Sequence, residues 1–162
     1  MIGLGPRNFE LGICIANRPP IDHYPELTQM QALAPGEIDH IVAHTSNHWR
    51  KLFNVLAKLM EALHATEDWR HYRDHQLLQS GCRCALLFDA PKLETLSQRT
   101  HVVAGKTYAG ELGIEVDWLD ARFAINQELK LIVSPYLDYR QLSNKRIEQL
   151  ADLIRSMPKR SA

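Results

Sequence analysis

Residues 129–154 read LKLIVSPYLDYRQLSNKRIEQLADLI, and three patterns follow one another along them. Residues 131–133 are apolar without alternation, as in a strand buried on both faces. From Ser143 onward, Ile147, Leu150, Ala151 and Ile154 recur at helical spacing behind a serine suited to an N-cap. Between them, residues 134–142 hold a proline, two tyrosines, an aspartate and an arginine, more than a tight turn needs. A strand, an elaborate joint and a helix form the repeating unit of parallel α/β sheets.

The same unit recurs upstream. Residues 11–16 (LGICIA), 84–88 (CALLF) and 101–104 (HVVA) predict three further buried strands, and the fourth spans 129–133. Behind Ser46 or Asn47, Trp49, Leu52, Phe53, Leu56, Leu59, Met60 and Leu63 make one continuous helical stripe. Shorter helices are predicted over 69–78, 92–98 and 107–112. Residues 18–45, with four prolines and Gly36, predict a long, mostly irregular loop with a short helix within 24–33. Trp118 and Phe123 fall in a connection without clear pattern. The expected architecture is a single α/β domain over residues 1–162. It is a three-layer α/β/α arrangement around a mainly parallel, four-stranded central sheet.

Composition narrows the function classes only modestly. A chain of 162 residues, 45% hydrophobic, buries an ordinary core without disulfides or metal. Nineteen basic residues balance nineteen acidic ones, so bulk charge demands no polyanionic partner, although a local basic face remains open. Three cysteines are too few for a disulfide framework, and Cys14 and Cys84 read as packed thiols. With no leader-like segment and no run long enough to span a membrane, a cytoplasmic location is the default expectation. The oligomeric state is left open.

Two tempting motifs fail on chemistry. Ala104-Gly105-Lys106-Thr107 ends like a phosphate-binding P-loop, but Thr100 stands where the first glycine belongs and a strand fills the loop. His71, His75, Cys82 and Cys84 lie near one another, yet a Cys-x-Cys beside histidines on a charged helix lacks zinc-knuckle spacing. No metal and no cofactor is expected.

In parallel sheets ligands gather beyond the carboxyl ends of the strands. Those ends carry Ala16-Asn17-Arg18-Pro19-Pro20, Leu87-Phe88-Asp89, Ala104-Gly105-Lys106-Thr107 and Val133-Ser134-Pro135-Tyr136-Leu137, with Asn47-His48-Trp49 opening the long helix. This succession resembles the uracil-DNA glycosylase superfamily, particularly its small mismatch-specific branch, over most of the chain. The resemblance implies a glycosylase-like fold, with Asn17 as the water-positioning catalytic residue and Asp89 reading an extruded base. Ser134, Pro135, Tyr136 and Leu137 would be the segment that wedges an apolar side chain into the stack. Arg18, Lys106 and Arg140, with Lys145 and Arg146, would meet phosphates.

The chain departs from that pattern in chemically important places. Both glycines of the first motif are missing, and apolar Val133 stands where the family has a histidine or asparagine to steady the leaving base. Asn17 orients water but cannot act as a general base. Ionised Asp89 accepts hydrogen bonds only, favouring a base that presents an amine over uracil. The expected function is therefore a divergent glycosylase-like protein that binds a nucleobase or nucleic acid, with N-glycosidic hydrolysis as its reaction if it is active. A nucleotide- or nucleoside-binding enzyme on the same sheet and a non-catalytic interaction domain are the competing expectations.

Overall fold

The computed structural model of the chain describes residues 1–158; the last four positions of the predicted domain lie outside the described residues. In chain order the elements are β1 (Gly3–Leu4), β2 (Leu11–Cys14), a 3-10 turn (Tyr24–Glu26), β3 (Met30–Gln31), α1 (Glu37–His44), α2 (Asn47–His64) and α3 (Trp69–His75). There follow β4 (Cys84–Leu87), α4 (Leu93–Leu96), β5 (Thr100–Ala104), α5 (Lys106–Leu112), β6 (Asp117–Trp118), β7 (Ala124–Asn126), β8 (Leu131–Ser134) and α6 (Asn144–Ser156).

The α/β class is as expected, but the sheet is larger and mixed. Eight strands run in the order β3-β1-β4-β2-β5-β8-β7-β6. In its middle, β2 pairs in parallel with β4 and β5, and β5 pairs in parallel with β8. Antiparallel pairs extend it on both sides, β1 against β4 on one edge and β7 against β8, then β6 against β7, on the other. The expectation of four strands missed β1, β3, β6 and β7. Each is two or three residues long, too short to show either alternation or an apolar run.

Successive residues of the central strands face opposite layers, as strand geometry requires. Ile13, Leu86, Val102 and Ile132 point into the larger core, which they share with Leu52, Phe53, Leu56, Leu59 and Met60 of α2 and Ile147 and Leu150 of α6. Each such side chain contributes roughly 1.5–3 kcal/mol when fully buried. Cys14, Leu87, Val103 and Leu131 face the thinner second layer, covered by Tyr108, Ala109 and Leu112 of α5.

The segment expected to be mostly irregular is more ordered than its prolines suggest. It holds the 3-10 turn, β3 and α1, the last starting at Gly36 with φ of 84° and burying only Ile38 and Ile41. Two buried positions are too sparse a stripe to announce a helix. The fold of this segment comes from tertiary contacts, including a hydrogen bond from the Tyr24 hydroxyl to the Glu37 carboxylate.

Candidate functional site

The carboxyl ends of β2, β5 and β8 meet the start of α2, and Tyr136 is the side chain that joins them. Its ring stacks on His48, with centroids 5.3 Å apart and planes 14° from parallel. Its hydroxyl lies 2.6 Å from His48 Nε2. Burial pushes the Tyr136 phenol upward, and a hydrogen bond from the Asn17 side chain offsets part of that rise. Burial also holds His48 below its ordinary value, against the opposing pull of Asp138. With the imidazole neutral and its proton on Nδ1, the Tyr136 hydroxyl donates to Nε2; with the proton on Nε2, the direction reverses. Gly105, at φ of 100°, passes beneath the ring, where a Cβ would come within 3.7 Å of it. His48 and Tyr136 thus satisfy one another and tie the start of α2 to the end of β8, with the exposed Asn17 side chain near enough to act on the phenol.

Beside this lock lies a basic groove of about 250 Å³, lined by Lys106, Ala121, Arg122, Ser134, Pro135, Arg140, Gln141 and Arg146. Four of these residues are cationic and, among the described residues that line it, none is acidic. Arg146 donates to the Gln141 carbonyl at 2.8 Å. The guanidinium groups of Arg122 and Arg140 make no hydrogen bond to a described residue, although Asp120 is near enough to Arg122 to feel its charge. Local structure explains how Arg122 arrives there. The Asp120 carboxylate accepts the backbone N–H groups of Arg122 and Phe123, each at 2.7 Å, and these bonds hold it below the usual carboxylate range. Phe123 is fully buried, so the turn is pinned at one end and Arg122 is carried onto the groove.

Exposed aromatic rings flank the cations. Trp118 on β6 is 43% exposed and lies 5.0 Å from the Lys106 ammonium. Tyr139, next to Arg140 in the chain, is 50% exposed and stands 5.2 Å from the Lys51 ammonium. Trp118 thus borders the groove through Lys106, while Tyr139 rests on Lys51 of α2.

The remaining predicted site residues take different positions. Ser134 is buried at the end of β8, and its hydroxyl donates to the Pro135 carbonyl at 2.9 Å. Leu137 corrects the wedge expectation: it is fully buried in the larger core and cannot enter a base stack without leaving that core. Arg18 is also redirected, since its Nη1 donates to the carbonyls of Tyr24, Pro25 and Leu27 at 2.8–3.2 Å and ties down the 3-10 turn. Asp89 accepts the Ile2 N–H at 3.0 Å and lies 3.9 Å from the Met1 ammonium. It lines a separate cavity with Phe9, Leu87 and His101, so it does not share the groove with Ser134 and Pro135.

Of the five cations expected to meet phosphates, Lys106, Arg140 and Arg146 line one groove and Arg18 and Lys145 do not, whereas Tyr136 sits in the neighbouring lock. Arg122 and Trp118 were missed. Their only sequence signal was Asp120, a turn-forming residue in a stretch that otherwise lacks pattern. His71 hydrogen-bonds Glu67 at 2.8 Å, and among the described residues no group of three or more His, Cys, Asp or Glu is placed to hold a metal ion. No described helix is long and apolar enough to cross a membrane.

No curated protein and no solved structure matches the chain. A family model does match, over residues 2–155, and it therefore spans the groove, the lock and the whole sheet. The chain belongs to that family, described as a family of unknown function (DUF6942).

Proposed function

We propose that the protein binds single-stranded nucleic acid across the basic groove, with phosphates meeting Lys106, Arg122, Arg140 and Arg146 and bases stacking on Trp118 and Tyr139. The observation that carries this reading is the set of four cations without a lining carboxylate, with the half-exposed Trp118 ring against one of them, Lys106. Backbone charge supplies most of the affinity in such sites, and stacking tolerates any base. At about 250 Å³ the groove is smaller than the roughly 300–1,000 Å³ typical of sites that enclose a small molecule. This favours an extended strand, with its bases outside, over an engulfed nucleoside.

The succession of strand ends that resembles the uracil-DNA glycosylase superfamily supports the same ligand class. Base excision would ask for more: a positioned water, a base reader and a wedge on one cleft. Asp89 is held by the amino-terminal backbone and lines a different cavity, and Leu137 is in the core. The proposal is accordingly one of binding without excision.

Fluorescence anisotropy with a labelled single-stranded oligonucleotide tests it. The double variant Arg122→Glu/Arg140→Glu should bind roughly ten- to a hundredfold more weakly, because two charge-assisted contacts become repulsive. Unchanged binding would reject the groove. Competition by a mononucleotide as effective as competition by the oligonucleotide would favour a small-nucleotide enzyme instead. No binding by the parent protein at low salt would leave the interaction-domain reading standing.

A further inference from the structure

At the opposite end of the sheet, where β4 begins, a second cavity of about 360 Å³ is lined by residues that include His64, Tyr72, His75, Cys82 and Arg83. The Cys82 and Cys84 sulfur atoms lie 3.5 Å apart, and the Tyr72 hydroxyl is 3.3 Å from Cys82 Sγ. Cys84 is fully buried behind Cys82, whereas Cys82 is 8% exposed and faces the cavity. The chain bends at Arg83 just before β4 begins at Cys84, and the two thiols lie against each other across that bend. Closing their gap to a disulfide needs the sulfurs to approach by about 1.5 Å, from 3.5 Å to the covalent distance.

We propose that Cys82 and Cys84 form a dithiol oxidised by hydroperoxides, with Cys82 as the attacking thiol and Cys84 as the resolving one. The Cys82 thiolate attacks the terminal peroxide oxygen, the O–O bond breaks, and the alcohol leaves after taking a proton. The sulfenic acid on Cys82 is then attacked by Cys84 sulfur. The S–S bond forms, and hydroxide leaves with the Cys84 proton as water. In sum, two thiols and one hydroperoxide give a disulfide, an alcohol and water.

The asymmetry of the pair fits these roles. Hydrogen bonding from Cys84, with help from Tyr72, lowers the Cys82 thiol against the cost of its burial. The same contact with Cys82, together with full burial, raises Cys84. Cys14 provides an internal control, since burial without a thiol neighbour pushes it up to about 12.

The test is mass spectrometry of the full chain after treatment with tert-butyl hydroperoxide. Trypsin cuts after Arg83, between the two cysteines, so a disulfide joins two tryptic peptides that otherwise separate. The expected result is that joined pair, with Cys14 still reduced and Cys82 consumed at least roughly tenfold faster than Cys14, in line with its larger thiolate fraction. In Cys84→Ser the intermediate should persist and be trapped by dimedone on Cys82. Oxidation of Cys14 at the same rate, or over-oxidation of Cys82 in the parent protein without a joined peptide, would overturn the proposal. The parent readout needs no variant, so a folding defect in Cys84→Ser cannot mask the answer.

Discussion

Two neighbouring regions at the carboxyl ends of the parallel strands are built in opposite ways. In the lock, His48 and Tyr136 satisfy one another, and Leu137 beside them is fully buried. In the groove, Arg122 and Arg140 hold their charges toward solvent without a hydrogen-bonding partner among the described residues. Polar groups that are already paired gain little from a ligand, whereas unpaired cations around a concavity gain a great deal from phosphate. The contrast gives the lock a stabilising role and makes the groove the proposed binding surface, although a sequence motif joins them through Ser134-Pro135-Tyr136-Leu137.

Substitutions on either side can break that division. The largest effect on stability is expected from Leu137→Ala, which should cost about 2–5 kcal/mol in urea unfolding as a buried leucine is truncated. Nucleic-acid affinity of the folded fraction should not change; a selective loss of affinity would restore the wedge reading. Next, Trp118→Ala should weaken oligonucleotide binding by about 1–3 kcal/mol, the usual worth of one base stacked on an aromatic ring. Its unfolding midpoint should barely move, because the ring is 43% exposed on an edge strand. An affinity equal to that of the parent would remove Trp118 from the site.

The smallest effect belongs to His48 and is best read through pH. Burial lowers its folded-state value, so the fold prefers the neutral ring. That contribution is fully present above the ordinary histidine value of about 6.5 and is lost as pH falls through the lower folded value, because the unfolded chain then takes the proton more readily. His64 and His101 are shifted the same way by burial and set a common background. His48→Gln should therefore show a shallower loss of stability on acidification than the parent, measured as urea midpoints between about pH 7 and pH 5. Parallel curves would mean that His48 titrates alike in both states.

The legibility of these regions in the sequence follows from how each is held. The four central strands and α2 announced themselves because burial on both faces, or along one stripe, leaves a long apolar pattern. Lys106 was legible as a cation at a predicted strand end, and Arg140 and Arg146 as cations in the joint and the helix after the last strand. Arg122 and Trp118 were not, because the β6–β7 edge is too short to carry a period and its geometry rests on the Asp120 turn. Arg18 and Leu137 misled for the converse reason. A motif shows which residue types stand at a strand end, but three loop carbonyls claim one side chain and the core claims the other.

The most direct test of the groove is the salt dependence of single-stranded oligonucleotide binding. With four phosphate contacts, log K should fall against log salt concentration with a slope of about −3, at roughly 0.7 per contact. In Arg122→Ala/Arg140→Ala the slope should drop to about −1.5, because two contacts remain. A parent slope near zero, or a variant slope equal to the parent's, would contradict the claim that these four cations form the binding surface.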